Sequence, residues 1–202
     1  MVMKKISWIS CLAAAAGLLS LTGCFKNNAS DDTLKPEEIQ AAFQAVKGEY
    51  EGRVIYNTAG DYMPRRLDTA LVGWRIDSDS TLLIRDFPAS FLGTHANDKQ
   101  LAKALKEQGN VDIGCRIGFM KTSPVMFLIN PFTSAFDLVY NGEAHKVEIV
   151  FYGNNYYSYG IFDPAKKVFQ MQIVQAGFYV DGKLRSDLLP SGIIFYFETK
   201  KE

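Results

Sequence analysis

The chain has 202 residues, 48% of them hydrophobic and 13% aromatic, which is ample for one packed domain. Its 22 basic residues balance 22 acidic ones. No basic face follows from that balance, which argues against nucleic acid as a partner.

The first segment has the layout of an export signal. Lys4 and Lys5 form a positive start, and Ile6 to Leu21 is apolar apart from Ser7, Ser10 and Ser20. The run is short for a permanent membrane helix, which needs ~20 apolar residues. Leu21-Thr22-Gly23-Cys24 then resembles the lipobox of bacterial lipoproteins. That resemblance implies a signal peptide over 1–23, cleavage before Cys24, diacylation of its thiol and acylation of the new amino terminus. Each buried acyl methylene contributes ~0.8 kcal/mol, and two or three chains together hold firmly. Residues 24–34 read as a polar, lipidated tether and 35–202 as a single β-rich domain. Phe25 stands where an aspartate would signal inner-membrane retention, so the outer membrane is expected. Asp31-Asp32 faintly resembles the acidic patch of surface-exposed lipoproteins, which leaves the periplasmic face and the cell surface both open.

Removing 1–23 leaves 179 residues and, without Lys4 and Lys5, 20 basic against 22 acidic groups, a net charge of −2. Cys11 departs with the signal and Cys24 is consumed by lipid. Cys115 is then alone, no intramolecular disulfide can form, and stability must come from packing.

The folded part opens with a helix. Pro36 suits a first turn, Glu37 and Glu38 complement its dipole, and Gly48 stops it. Ile39, Ala42, Phe43 and Val46 make one apolar stripe. A second helix is expected over 98–108, with Asn97 and Gln100 as a capping box, Leu101 and Leu105 on one face, and Gly109 at the end.

Nearly everything else alternates with period two. Tyr50, Val54 and Tyr56 oppose Glu51 and Arg53; Ala70, Val72, Trp74 and Ile76 form the next apolar row, followed by Leu82 and Ile84. The cleanest run is Val111, Ile113, Cys115, Ile117 and Phe119, with Asp112, Gly114, Arg116 and Gly118 between. Val125 to Ile129 is continuously apolar and reads as a strand buried on both faces. Phe136, Leu138 and Tyr140 lead into Asn141-Gly142, and His145, Val147, Ile149 and Phe151 return; Asn-Gly tolerates the positive φ of a tight hairpin. Tyr156 to Phe162 precedes a turn at Asp163-Pro164. Phe169, Met171 and Ile173 alternate with Gln170 and Gln172, Asp181-Gly182 marks another turn, and Ile193, Phe195 and Phe197 close the chain. Eight to ten short strands predict a mainly β fold, an antiparallel up-and-down barrel or a two-sheet sandwich, with two short helices.

The lipobox, the short helix, the Gly48-Glu49-Tyr50-Glu51-Gly52 lead-in to the first strand and the late meander together resemble the lipocalin-like (calycin-type) lipoproteins of gut anaerobes. Lipocalins carry Gly-x-Trp near their first strand; here Tyr50 follows Gly48 at that spacing. The resemblance implies a barrel and carries no functional motif.

Catalytic and metal signals are sparse. His95 and His145 have no metal spacing, and no serine sits in a nucleophile elbow. Cys115, in an apolar row, reads as a small buried hydrophobe; Arg116 points to the opposite face. Asp77-Ser78-Asp79-Ser80 lacks the glycine and distal glutamate of a calcium loop and reads as a hairpin turn. No P-loop, dinucleotide fingerprint or Cys-x-x-Cys occurs, so neither cofactor nor metal is expected.

The unusual cluster is aromatic. Tyr152, Tyr156, Tyr157 and Tyr159 surround Gly153-Asn154-Asn155, with Trp74 and Phe178 as companions. Tyrosine offers an apolar face for a lipid or sugar ring and a hydroxyl to orient it, although aromatics also pack across ordinary sheets. The expected function is a lipid-anchored module binding an apolar or amphipathic small molecule in a barrel interior lined by Trp74 and tyrosines. A protein-docking or structural lipoprotein of the envelope is the alternative. A hydrolase is the third reading and requires two of the carboxylates Asp112, Glu148 and Asp163 to face one cleft. Cys24→Ala is expected to leave the folded domain soluble in the periplasm; retention of that variant in the membrane fraction would exclude acyl chains as the anchor.

Overall fold

The computed structural model describes residues 33–59, 66–133, 135–153 and 156–199. The expected signal peptide, Cys24 and most of the tether lie outside the described residues. Helix α1 spans Pro36–Val46, with Pro36 fixing its first turn and the Glu38 carboxylate accepting from the Lys35 N–H at 2.8 Å. It buries Ala42, Phe43 and Val46. The chain continues through β1 (Gly48–Asn57), β2 (Leu67–Ser78), β3 (Thr81–Pro88), α2 (Ala89–Gly93), α3 (Lys99–Glu107), β4 (Asn110–Thr122) and β5 (Val125–Phe132). Then follow β6 (Phe136–Tyr140), β7 (Glu143–Phe151), β8 (Tyr159–Asp163), β9 (Val168–Val180), β10 (Lys183–Leu184) and β11 (Ile193–Thr199).

Three details depart from the expectation. The five-residue α2 carries no periodic pattern long enough to announce it. The cap of α3 is Asp98, not Asn97: Asp98 Oδ1 accepts from the N–H groups of Gln100 and Leu101, while Asn97 donates to the Asp187 carbonyl. On β5 only Val125, Phe127, Ile129 and Pro131 are buried, so this strand has one core face, and Met126 and Leu128 face outward.

Eight strands close into an antiparallel barrel in the order β11-β1-β2-β3-β4-β5-β8-β9, with β9 returning to β11. The sandwich alternative is thereby set aside. Closure removes the free edges that an open sheet would present. Strand β9 extends beyond the ring. Residues 168–175 pair with β8 on one edge and β11 on the other, and residues 175–180 pair with β7, with β10 on the opposite edge. The β6–β7 hairpin therefore extends the wall, turning at Asn141 (φ 51°) and Gly142 (φ 83°), the left-handed pair such turns need.

The interior is filled by aromatic rings. Trp74 lies 5.5 Å from Phe169 and 5.9 Å from Tyr50 between ring centres, and Phe127 lies 5.9 Å from Phe169. Gly52 and Gly160 make room for this packing: a Cβ there would sit 2.6 Å from the Trp74 ring and 2.3 Å from Phe127. Helices cover both ends. At one, α1 contacts β4 and β5, receives the Tyr50 hydroxyl at the Val46 carbonyl (2.8 Å), and reaches the β2–β3 turn through Gln40 and Asp79. At the other, Phe91 of α2 packs 4.3 Å from Tyr56, whose hydroxyl meets Thr94 at 2.9 Å. Phe195, with no exposed surface, joins Phe87 and Tyr56 in this layer. Phe195→Ala is expected to destabilise the domain by about 3 to 5 kcal/mol. Urea denaturation checks this, and an unchanged midpoint would place the ring outside the core.

Candidate functional site

The six aromatic residues singled out from the sequence fall into two groups. Trp74 and Phe178 are wholly buried, Trp74 inside the barrel and Phe178 on the part of β9 that pairs with β7, opposite Ile149. Neither offers a surface to a ligand. A void large enough for water beside Trp74, Phe127, Phe169, Phe195 or Phe197 would leave part of the ring uncovered, and all five are fully covered. Among the described residues the buried indole N–H of Trp74 has no acceptor.

The tyrosines are elsewhere. β7 and β8 follow one another along the same edge of β9, and residues 152–158 form the loop between them. Asn154 and Asn155 are outside the described residues, and the described residues of this loop approach Asn130 and Val174 on the outward side of the wall. Two points fix it. The buried Ser158 hydroxyl donates to the Tyr152 carbonyl at 2.5 Å and accepts from the Val174 N–H at 3.3 Å. The Gln172 side-chain amide donates to the Tyr157 carbonyl at 2.8 Å. Gly153 permits close approach to β5, because a Cβ there would lie 1.8 Å from Asn130 Oδ1. The Tyr152 and Tyr157 rings pack 5.4 Å apart at 38° and remain 42% and 61% exposed; Tyr156 stands out at 68%.

Strand register extends this surface. Leu128 pairs with Tyr159, Tyr159 with Gln172, Gln172 with Tyr196, and Tyr196 with Ile55, all on the outward face. Among the described residues the hydroxyls of Tyr152, Tyr156, Tyr159 and Tyr196 have no hydrogen-bond partner. Burial, chiefly, and then the nearby Glu198 carboxylate hold the Tyr196 phenol above its usual pKa, so it remains a neutral donor. On the other side of Tyr159 the wall dips into a shallow depression of about 530 Å³, lined by Arg116, Gly118, Met120, Leu128 and Asn130. Gly118 is among the lining residues, and a Cβ there would meet nothing within 4 Å. The arrangement offers aromatic faces, hydroxyls and two amide side chains on an open wall. It contains no nucleophile–base pair.

The remaining candidates have structural surroundings. His95 Nε2 lies 2.8 Å from the Asn57 carbonyl, and His145 Nδ1 lies 2.8 Å from the Asp181 carboxylate. That imidazole and the Lys146 N–H hold the Asp181 carboxyl below its usual pKa. Cys115 is buried, and burial pushes its thiol well above the usual value, which suppresses the nucleophilic thiolate. Asp112 Oδ1 accepts from the Asp86 N–H in a bulge of β3, whereas Asp163 caps the turn after β8 and pairs with Lys166. Glu148 lies on β7 opposite Tyr179. The three carboxylates thus sit on separate elements. Among the described residues no three His, Cys, Asp or Glu side chains converge as a metal site would require.

Sequence reasoning missed Tyr196, Leu128, Asn130 and the part played by Arg116 and Gly118. Alternation already puts Tyr196, Arg116 and Gly118 on outward faces, whereas Leu128 and Asn130 belong to or follow an apolar run without alternation, and which strands are neighbours emerges only from the ring order.

Ser158→Ala removes the buried hydroxyl that joins the Tyr152 carbonyl to the Val174 N–H of β9. The expected cost is about 1 to 3 kcal/mol, with faster amide exchange at Tyr152 and Val174. Unchanged exchange there would show that the loop is held by other contacts.

Comparison with curated proteins and with solved structures finds no match. Residues 45–180, covering β1 to β9, match the family described as "Domain of unknown function (DUF4840)", and the chain belongs to that family.

Proposed function

We propose that this protein is a lipid-anchored module of the bacterial envelope, held in the outer membrane through Cys24, that binds an apolar or amphipathic small molecule. The ring of eight strands supports the resemblance to lipocalin-like lipoproteins. The binding surface we assign is the outer wall, from the depression at Gly118 across Leu128 and Tyr159 to the tyrosine loop. One contrast carries this reading: Trp74, Phe127, Phe169, Phe195 and Phe197 inside the barrel are fully covered, while Tyr152, Tyr156 and Tyr157 on the wall are 42 to 68% exposed. A ligand on the wall displaces water from these rings without opening a packed core.

The second reading, docking of another envelope protein, is favoured by Leu71 and Ile194, outward residues that are 80% and 52% exposed. Tyrosine-rich patches serve protein partners as well as small ligands. The two readings separate on what travels with the protein. Native mass spectrometry of the extracted lipidated chain is expected to find a co-purifying small molecule; a stoichiometric protein subunit in its place would favour docking.

A direct test uses the lipidated chain in nanodiscs with 4-phenylbutyrate as a soluble amphipathic probe, followed by saturation-transfer NMR. Tyr159→Ala is expected to weaken binding about five- to tenfold, the equivalent of one aromatic contact. Trp74→Phe should leave binding unchanged. Loss of binding in Trp74→Phe with none in Tyr159→Ala would move the site to the interior and overturn the outer-wall reading.

A further inference from the structure

We infer that the ligand of the outer wall carries a carboxylate, or an anion of similar geometry, and that Arg116 receives it. This rests on the outer-wall reading above and adds the chemical class of the ligand.

Charge on the wall is the starting observation. Arg53 faces Glu198, Arg75 lies 2.7 Å from Asp77, and Arg85 lies 3.4 Å from Glu49. Each guanidinium on these three strands has its carboxylate. Arg116 is different. Its cross-strand neighbours are Thr81 on β3 and Asn130 on β5, both neutral, and among the described residues it has no ion pair. Arg116 also lines the depression of about 530 Å³, together with Gly118, Leu128 and Asn130. An uncompensated cation beside an unfilled hollow is what an anionic group would complete.

The geometry separates the two ends of such a ligand. Arg116 and Gly118 are successive outward residues on β4, and Gly118 leads across the strands to Leu128 and then Tyr159. Strands are about 4.8 Å apart, so the path from Gly118 to Tyr159 covers about 10 Å. An anion at Arg116 therefore places the body of the molecule over Leu128 and the Tyr159 ring. A guanidinium binds a carboxylate through two parallel N–H donors, which fixes orientation as well as charge. Asn130, directly opposite Arg116 and held against Gly153, adds an amide at the same end.

The body can be an aryl or acyl group or the ring of a uronate sugar, since both present a C–H surface to a tyrosine face. Matched probes distinguish them. The lipidated chain in nanodiscs would be titrated with 4-phenylbutyrate and 4-phenylbutanol, and with a glucuronate-terminated and a glucose-terminated trisaccharide. The acid is expected to bind about tenfold tighter than its neutral partner in at least one pair, and the pair showing this identifies the body. Arg116→Gln should abolish the preference and Arg116→Lys should retain part of it. Because Arg116 is exposed, raising the salt concentration should narrow the gap. Equal affinity within both pairs, or a preference that survives Arg116→Gln, would overturn the inference. If neutral and acidic probes bound equally and Tyr159→Ala weakened both, the outer-wall function would stand and only the anion would fall. Absence of binding by all four probes would remove both.

Discussion

An eight-stranded ring encloses a space just wide enough for side chains to fill it or for one small ligand. In this protein the choice falls to side chains. Trp74, Phe127, Phe169 and Phe197 occupy the centre with no exposed surface, and glycines at 52 and 160 let two of those rings approach the opposing backbone. Cys115 is a free, buried thiol, and the rings pack with buried aliphatic residues into one continuous core. Leu92, Leu101 and Leu105, buried on α2 and α3, extend the packing at one end, and Phe43 and Val46 of α1 extend it at the other.

That commitment decides where recognition can occur. The centre of the barrel, where Trp74, Phe127, Phe169 and Phe197 are fully covered, can admit a ligand only by displacing rings that pack against one another. The wall needs no such displacement. Its outward residues carry tyrosine faces, hydroxyls without partners and a cation without a carboxylate, on strands whose positions the core makes rigid. Rigid support matters because exposed side chains on a firm sheet lose less freedom when they bind.

Most of the ring was legible in the sequence because one face is buried and the other wet. Alternation at Val72, Trp74 and Ile76, and again at Ile113, Cys115 and Ile117, matches the buried rows residue for residue. The hairpin at Asn141-Gly142 was readable from turn chemistry alone. Legibility failed where the signal was composition without period. The apolar run at Val125 to Ile129 read as buried on both faces, yet Met126 and Leu128 face outward as part of the apolar wall. Trp74 and the tyrosines looked like companions because all are aromatic, but the pleat sends Trp74 inward and the loop carries the tyrosines outside. The placement of Arg116 near Tyr159 depends on ring order, which pairs β5 with β8 after skipping the β6–β7 hairpin, and no local pattern encodes that skip.

Strand β9 has a consequence for how the molecule loses structure. Its first half belongs to the closed ring, between β8 and β11, and its second half supports β7 and β10. Neither assembly can detach its share of hydrogen bonds without disturbing a strand the other also uses. Barrel and hairpin extension are therefore joined through one continuous strand, so opening that removes β9 dismantles both.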